Sequence, residues 1–116
     1  MNRFDSLPEF EKEFKQLLKK YRTLNDDLEK LKQVLLACPT GIGKNFTVLH
    51  SEGKINIVKA RMACQALRNR SLRVIYAFHE EESKIIFIEL YFKGNKETEN
   101  KKRIIDFIDS LEAQNS

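Results

Sequence analysis

Basic side chains concentrated in the middle of the chain are the residues best suited to chemistry. Between residues 37 and 78 the only acidic residue is Glu52, whereas seven residues are basic. These are Lys44, Lys54, Lys59, Arg61, Arg68, Arg70 and Arg73. Ammonium and guanidinium groups bind phosphate oxygens, and a concentrated positive field suits a nucleic acid or an acidic protein. Charge alone leaves a second interpretation open, in which the segment is a solvated basic loop.

The apolar pattern places several of these basic residues on one face of a sheet. From about residue 44 the period changes from that of a helix to that of a strand, and it predicts strands over 54–64, 72–79 and 83–92. Because side chains alternate between the faces of a strand, one face carries Lys59, Arg61, Arg73, Glu89 and Tyr91. The other face is apolar. The last strand contributes four residues to it, Ile86, Ile88, Leu90 and Phe92. Two interpretations follow. Either the face with Lys59, Arg61 and Arg73 binds a compensating anion, or Glu89 forms an ion pair with Arg73.

Helices must cover the apolar face of this sheet. Amphipathic patterns over 6–21 and 24–36 predict two helices in an antiparallel hairpin, and a third helix is predicted from Asn95, capped by Asn95 or Thr98. Short connections between consecutive strands imply antiparallel pairing. The predicted fold class is α+β: two N-terminal helices, an antiparallel three- to four-stranded sheet and a C-terminal helix. The helices cover one face, the other face stays available, and a short extra strand near Asn2–Asp5 is the fourth.

The segment ACPTGIGKN, residues 37–45, has the outline of a phosphate-binding loop. Such a loop needs a Ser or Thr after its Lys to hold magnesium, and it must join a strand to a helix. Here Asn45 follows Lys44, and the segment follows a predicted helix. We therefore interpret it as an ordinary loop whose Lys44 adds to the basic surface.

Other cofactor chemistry has little support in the sequence. His50 and His79 are not spaced as metal ligands, and Cys38 and Cys64 are too few for a disulfide scaffold. We expect no metal and no cofactor. The length of 116 residues predicts a single domain, residues 1–116. No signal peptide or membrane-spanning run is visible, so we expect a cytoplasmic protein with reduced cysteines and no membrane partner.

The order of these segments resembles a known family. Two helical segments beginning PEFEKEFKQLLKKYRTLNDDL, a basic strand, then LRVIY and IIFIELYFKGNKE before a last helix are similar to the RelE/ParE superfamily of bacterial type II toxin–antitoxin toxins. The resemblance covers residues 4–111, and its most specific pieces are Arg73–Tyr76 and Leu90–Lys93. It implies a RelE-like fold and a cytoplasmic toxin that forms an oligomer with a cognate antitoxin.

The RelE-like branch of this family implies an endoribonuclease, or mRNA interferase, that needs no metal ion. Its partners are the ribosome and mRNA, and the 2′-hydroxyl of the message attacks the neighbouring phosphate. The resemblance places Arg73 at the scissile phosphate, and assigns further catalytic positions to Lys59, Arg61 and Lys93. Cationic side chains of this kind stabilise the charge of a pentacovalent phosphorane.

Two positions depart from the RelE-like pattern. Gly94 stands where an arginine often follows the lysine, and no tyrosine follows Tyr91. These departures favour a second interpretation, a ParE-like toxin that inhibits DNA gyrase by binding without catalysis. A third interpretation is an inert domain that only binds the antitoxin.

Overall fold

One sheet of five strands carries helices on both faces in the computed structural model, which describes residues 3–68 and 70–115. Its elements in chain order are β1 (Arg3–Ser6), α1 (Pro8–Lys20), α2 (Leu24–Ala37), β2 (Phe46–Glu52), β3 (Ile55–Ala63), a 3-10 turn (Gln65–Leu67), β4 (Ser71–His79), β5 (Lys84–Tyr91) and α3 (Lys101–Asn115). Within these ranges no helix combines the length and apolar character that a membrane-spanning segment needs.

The sheet is mixed. Its strands are ordered β1-β5-β4-β3-β2, and each neighbouring pair is antiparallel except β1, which runs parallel to β5. The short strand predicted near Asn2–Asp5 is confirmed by β1, although Asn2 lies outside the described residues. The prediction of a purely antiparallel sheet is wrong at this edge. No short turn joins β1 to β5, so the rule for consecutive strands does not apply to this pair.

Strand β2 forms the opposite edge, and the apolar pattern did not predict it. It pairs antiparallel with β3 across a turn in which Gly53 has a φ of +58°. Only Phe46 and Leu49 of this strand are half-buried, whereas the rest are exposed, so no alternation marks it in the sequence. Its backbone hydrogen bonds to β3 therefore define it more than side-chain burial does.

Helices α1 and α2 cover one face of the sheet, as predicted. The apolar stripe of α2 is buried through Leu24, Leu28, Leu31 and Leu35. Together with Phe10 of α1, this stripe packs on apolar side chains of the central strands, namely Val58, Ala60, Leu72, Val74 and Tyr76. The Tyr76 hydroxyl also donates a hydrogen bond to the carbonyl of Pro39, at 2.8 Å. This contact ties the end of the helical hairpin to the sheet.

Helix α3 covers part of the other face, so the prediction that this face stays available is wrong there. Ile104 and Phe107 of α3 pack there on three isoleucines of the sheet, Ile57, Ile75 and Ile88. The helix begins at Lys101 rather than near Asn95. The side chain of Asn100 accepts a hydrogen bond from the backbone N–H of Arg103, at 3.0 Å, so Asn100 is the cap instead of Asn95 or Thr98.

A bulge in β5 changes which side chains share a face. Ile75 is opposite Glu89, but the next residue, Tyr76, is opposite Phe87, so one residue of β5 is skipped. Leu90 and Phe92 therefore join Ile85 and Phe87 on the α1–α2 side, whereas Ile86 and Ile88 lie on the α3 side. The prediction that Ile86, Ile88, Leu90 and Phe92 share one face is wrong because an extra residue reverses the alternation.

Candidate functional site

Three of the predicted site residues lie together on the α3 side of the sheet. Arg61 on β3 is directly opposite Arg73 on β4, and Arg73 is opposite Tyr91 on β5. Lys59 is two residues before Arg61 and points to the same face. Strands in a sheet are about 4.8 Å apart, so these groups can contact one small ligand. We call Lys59, Arg61, Arg73 and Tyr91 the basic face.

In the part of the chain that the structure describes, the guanidinium groups of the basic face have no acidic partner. Arg73 donates from Nη1 to Ser71, to its hydroxyl at 2.9 Å and its carbonyl at 3.3 Å. Within residues 3–68 and 70–115 neither Arg61 nor Arg73 takes part in an ion pair. Arg61 is exposed and Arg73 half-buried. Two adjacent cations without a counter-charge repel each other, so this part of the face favours a bound anion.

The alternative pairing of Glu89 with Arg73 is wrong. Glu89 is fully buried, and its carboxylate instead accepts hydrogen bonds from Lys96 Nζ and from the backbone N–H of Asn100, the latter at 2.7 Å. Glu89 is opposite Ile75 and so faces the same side as Arg73, but Lys96 and Asn100 already occupy both of its carboxylate oxygens. The carboxylate thereby anchors residues 92–100, the loop between β5 and α3, beside the basic face.

Lys59 differs from the two arginines because it has a partner. Its Nζ lies 3.1 Å from Oε1 of Glu99, in the loop before α3. Burial by itself would lower the pKa of Lys59, but the hydrogen bond and charge of Glu99 and the nearby Tyr91 raise it overall. Burial would likewise raise the pKa of Glu99, yet its own backbone N–H and Lys59 lower it overall. Both groups are therefore ionised at neutral pH.

Tyr91 is the residue of this face that the sequence did not single out as a site residue. It is buried, and its hydroxyl makes no regular hydrogen bond among the described residues, although the Lys59 ammonium is close enough to act on it. Burial raises the pKa of Tyr91, against the opposing charge of Lys59. The Lys96 ammonium lies 5.4 Å from the ring centroid. The sequence could have indicated Tyr91 as a site residue through its predicted position on the same face as Arg73. The environment of its hydroxyl is visible only in the structure.

Lys93, the fourth predicted site residue, makes no contact with Lys59, Arg61 or Arg73 among the hydrogen bonds and ion pairs of the described residues. It is exposed in the turn directly after β5, two residues beyond Tyr91. In the part of the chain that the structure describes, no hydrogen bond or ion pair involves its side chain. A ligand of the basic face would therefore have to extend beyond that face to contact Lys93.

Neither a metal centre nor a nucleotide loop emerges from the described residues. No group of three or more His, Cys, Asp or Glu side chains within them could hold a metal ion. The segment 37–45 connects α2 to β2, and Gly41 and Gly43 adopt positive φ angles of 77° and 85° there. Because a strand and not a helix follows, the segment is a turn, as interpreted from the sequence.

The fold is similar to that of a solved archaeal protein, described as the crystal structure of the archaeal RelE–RelB complex from Pyrococcus horikoshii OT3. The TM-score is 0.61 at 20% sequence identity, and the match covers 80% of this chain and 96% of that chain. No family model matches the sequence, and no curated protein matches it. The similarity confirms the predicted RelE-like fold, and at this identity it concerns the fold alone.

Proposed function

We propose that the protein is the toxin of a type II toxin–antitoxin pair and that it cleaves mRNA on the ribosome without a metal ion. The observation that carries this proposal is the pair of adjacent guanidinium groups of Arg61 and Arg73, which have no counter-ion among the described residues. Lys59 lies beside them on a fold similar to that of the archaeal RelE–RelB structure. In this proposal residues 1–116 form one toxin domain.

The chemistry requires only groups that the basic face supplies. The 2′-hydroxyl of the message attacks the neighbouring phosphorus, and the bond to the 5′ oxygen of the next nucleotide breaks. The phosphorane between these states carries extra negative charge, which preorganised cations stabilise. We assign Arg73 to the scissile phosphate, Arg61 and Lys59 to the same or the adjacent phosphate, and Lys93 to a phosphate farther along the message.

The same charges suit a protein inhibitor. An acidic segment of a cognate antitoxin that lies over the basic face would neutralise Arg61 and Arg73 and exclude RNA from them. The similar archaeal structure is described as a RelE–RelB complex, which supports a toxin–antitoxin assembly of this general kind. We therefore propose an oligomer of toxin and antitoxin as the resting form.

One observation favours the second candidate, a ParE-like inhibitor of DNA gyrase. The RelE-like branch often has an arginine at the position of Gly94. Here a Cβ atom at Gly94 would lie 2.5 Å from a ring carbon of Phe92, so an arginine requires that ring to move. The site thus has one cation fewer for catalysis and remains suited to binding.

A translation assay separates these candidates. The purified protein is added to a cell-free translation reaction, and new message ends are mapped by primer extension. The nuclease proposal expects ends on translated messages only, and expects Arg73→Ala to abolish them. Arg22→Ala, which removes an equal charge from the exposed connection between α1 and α2, is the matched control and should cleave normally. Intact messages with a folded protein, together with lost supercoiling by gyrase, would support the second candidate instead.

A further inference from the structure

We propose, on the basis of the nuclease function above, that Glu99 accepts the proton of the attacking 2′-hydroxyl. The reaction forms the bond from the 2′ oxygen to phosphorus and breaks the bond from phosphorus to the 5′ oxygen. The proton of the 2′-hydroxyl passes to the Glu99 carboxylate. The leaving 5′ oxygen takes a proton from solvent water, and Glu99 returns its own proton to solvent. The products are a 2′,3′-cyclic phosphate and a 5′-hydroxyl.

The basic face itself lacks a proton acceptor. Guanidinium groups do not deprotonate in proteins, which excludes Arg61 and Arg73. Lys59 stays an ammonium beside Glu99, and Tyr91 stays a neutral phenol because it is buried. The two histidines lie elsewhere: His79 ends β4, six residues from Arg73, and His50 is on β2, where it contacts Glu52.

Glu99 contacts this face through Lys59, whereas the other carboxylate beside it, Glu89, is fully buried and already bound to Lys96 and Asn100. Oε1 of Glu99 lies 3.1 Å from Lys59 Nζ, and the charge of Glu99 also acts on Tyr91, which is opposite Arg73. The Glu99 side chain is 11% exposed, so water reaches it only partly. An acceptor must lie within hydrogen-bond reach of the proton that it takes, and a ligand phosphate on Arg73 would bring the neighbouring ribose to this side of the face.

The loop that carries Glu99 is fixed in place by the buried carboxylate of Glu89. That carboxylate binds Lys96, three residues before Glu99, and the backbone N–H of Asn100, directly after it. Asn100 then caps α3. The backbone on both sides of Glu99 is therefore held, which gives Glu99 the fixed position that proton transfer requires.

Loss of the ion pair with Lys59 makes Glu99 a stronger base once substrate binds. With Lys59 at 3.1 Å the carboxylate is stabilised as an anion and is a weak acceptor. When a phosphate attracts the Lys59 ammonium away, that stabilisation is lost and the affinity of Glu99 for a proton rises. Phosphate binding and base activation are then coupled through one lysine.

The test measures cleavage and binding separately on programmed ribosomes. Cleavage is the single-turnover rate of new ends on a message, and binding uses the same message with 2′-deoxy sugars in the A-site codon, which cannot be cleaved. Glu99→Gln should slow cleavage by about 100-fold or more with undiminished binding, since this is the usual contribution of a general base. Glu97→Gln, in an exposed position of the same loop, should change neither quantity. Glu99→Asp should recover part of the rate.

The opposite results have distinct meanings. Cleavage by Glu99→Gln at or above the wild-type rate, with tighter binding, would overturn the proposal and make Glu99 an internal anion that merely shields Lys59. A loss of both cleavage and far-ultraviolet circular dichroism in Glu99→Gln, with no recovery in a folded Glu99→Asp, would also overturn it. If the wild-type protein itself cleaves nothing, the nuclease function fails first, and the role of Glu99 fails with it.

Discussion

Lys96→Ala is expected to lower the free energy of unfolding by about 3 kcal/mol, because it leaves a buried carboxylate without its cation. Glu89 is 0% exposed, and Lys96 is its charged partner. Removal of one member of a buried ion pair costs about 3–5 kcal/mol. The lower value applies here because the N–H of Asn100 still donates to Glu89 at 2.7 Å, and the Lys96 side chain is 40% exposed, so water can partly replace it.

Urea unfolding followed by circular dichroism measures this change. The control is Lys102→Ala, which removes an ammonium that is 87% exposed and lies 3.2 Å from Asp106. Surface pairs of this kind contribute at most about 1 kcal/mol. The double variant Glu89→Leu with Lys96→Met removes both charges and should recover part of the lost stability, since apolar side chains can replace a buried pair but leave the N–H of Asn100 without its acceptor.

Equal losses in Lys96→Ala and Lys102→Ala would refute this reasoning. They would mean that the carboxylate of Glu89 does not depend on Lys96 and that the loop of residues 92–100 is not anchored in this way. The fixed position of Glu99, on which the proposed proton transfer depends, would then lose its structural basis. A double variant that is less stable than Lys96→Ala would contradict the account in the same respect.

Three further changes have expected outcomes in the same unfolding assay. Tyr91→Phe should raise the free energy of unfolding by about 1 kcal/mol, because it removes a buried hydroxyl that makes no regular hydrogen bond among the described residues, although Lys59 acts on it. Leu35→Ala should lower it by about 3 kcal/mol, since Leu35 is fully buried and leaves a cavity. The wild-type protein should have a higher free energy of unfolding than Glu99→Gln at neutral pH, and this difference should decrease in acid. Lys59 and the backbone N–H hold the folded-state pKa of Glu99 below its ordinary value of 4.5, against burial, so the contribution is present above 4.5 and is lost as pH falls through the folded value.

Each of these outcomes has a contrary result. Lower stability of Tyr91→Phe would show that the hydroxyl is hydrogen-bonded in the folded protein. A loss below about 1 kcal/mol for Leu35→Ala would show that α2 does not pack tightly on the sheet. A difference between the wild-type protein and Glu99→Gln that stays constant from pH 7 to pH 3 would show that the Lys59 ion pair does not stabilise the fold.

The sequence predicted the elements whose burial has a regular period. The α2 stripe of Leu24, Leu28, Leu31 and Leu35 is buried as its spacing requires, and the alternation in β3 and β4 places Arg61 and Arg73 on one face. The bulge in β5 was beyond this reasoning because Ile85–Ile88 is apolar throughout and offers no alternation to interrupt. Strand β2 was missed because its mostly exposed side chains leave no apolar period.

The site was predictable only in part, for a similar reason. Basic residues on adjacent strands are marked by alternation, so Lys59, Arg61 and Arg73 could be grouped from the sequence. Glu99 is 40 residues from Lys59, in an irregular loop, and no periodic pattern connects them. Glu89 is buried and binds Lys96 and Asn100 because the loop of residues 92–100 folds back over it. This is a property of tertiary packing and not of local sequence.

The central claim is that the basic face cleaves messenger RNA on the ribosome. The most direct measurement incubates the purified protein with one defined message, with and without ribosomes that translate it, and determines the chemistry of the ends. We expect cleavage only on ribosomes, with 2′,3′-cyclic phosphate and 5′-hydroxyl ends, and its loss with Arg73→Ala but not with Arg22→Ala. An intact message with the folded wild-type protein, or the same cleavage by a folded Arg73→Ala variant, would contradict it.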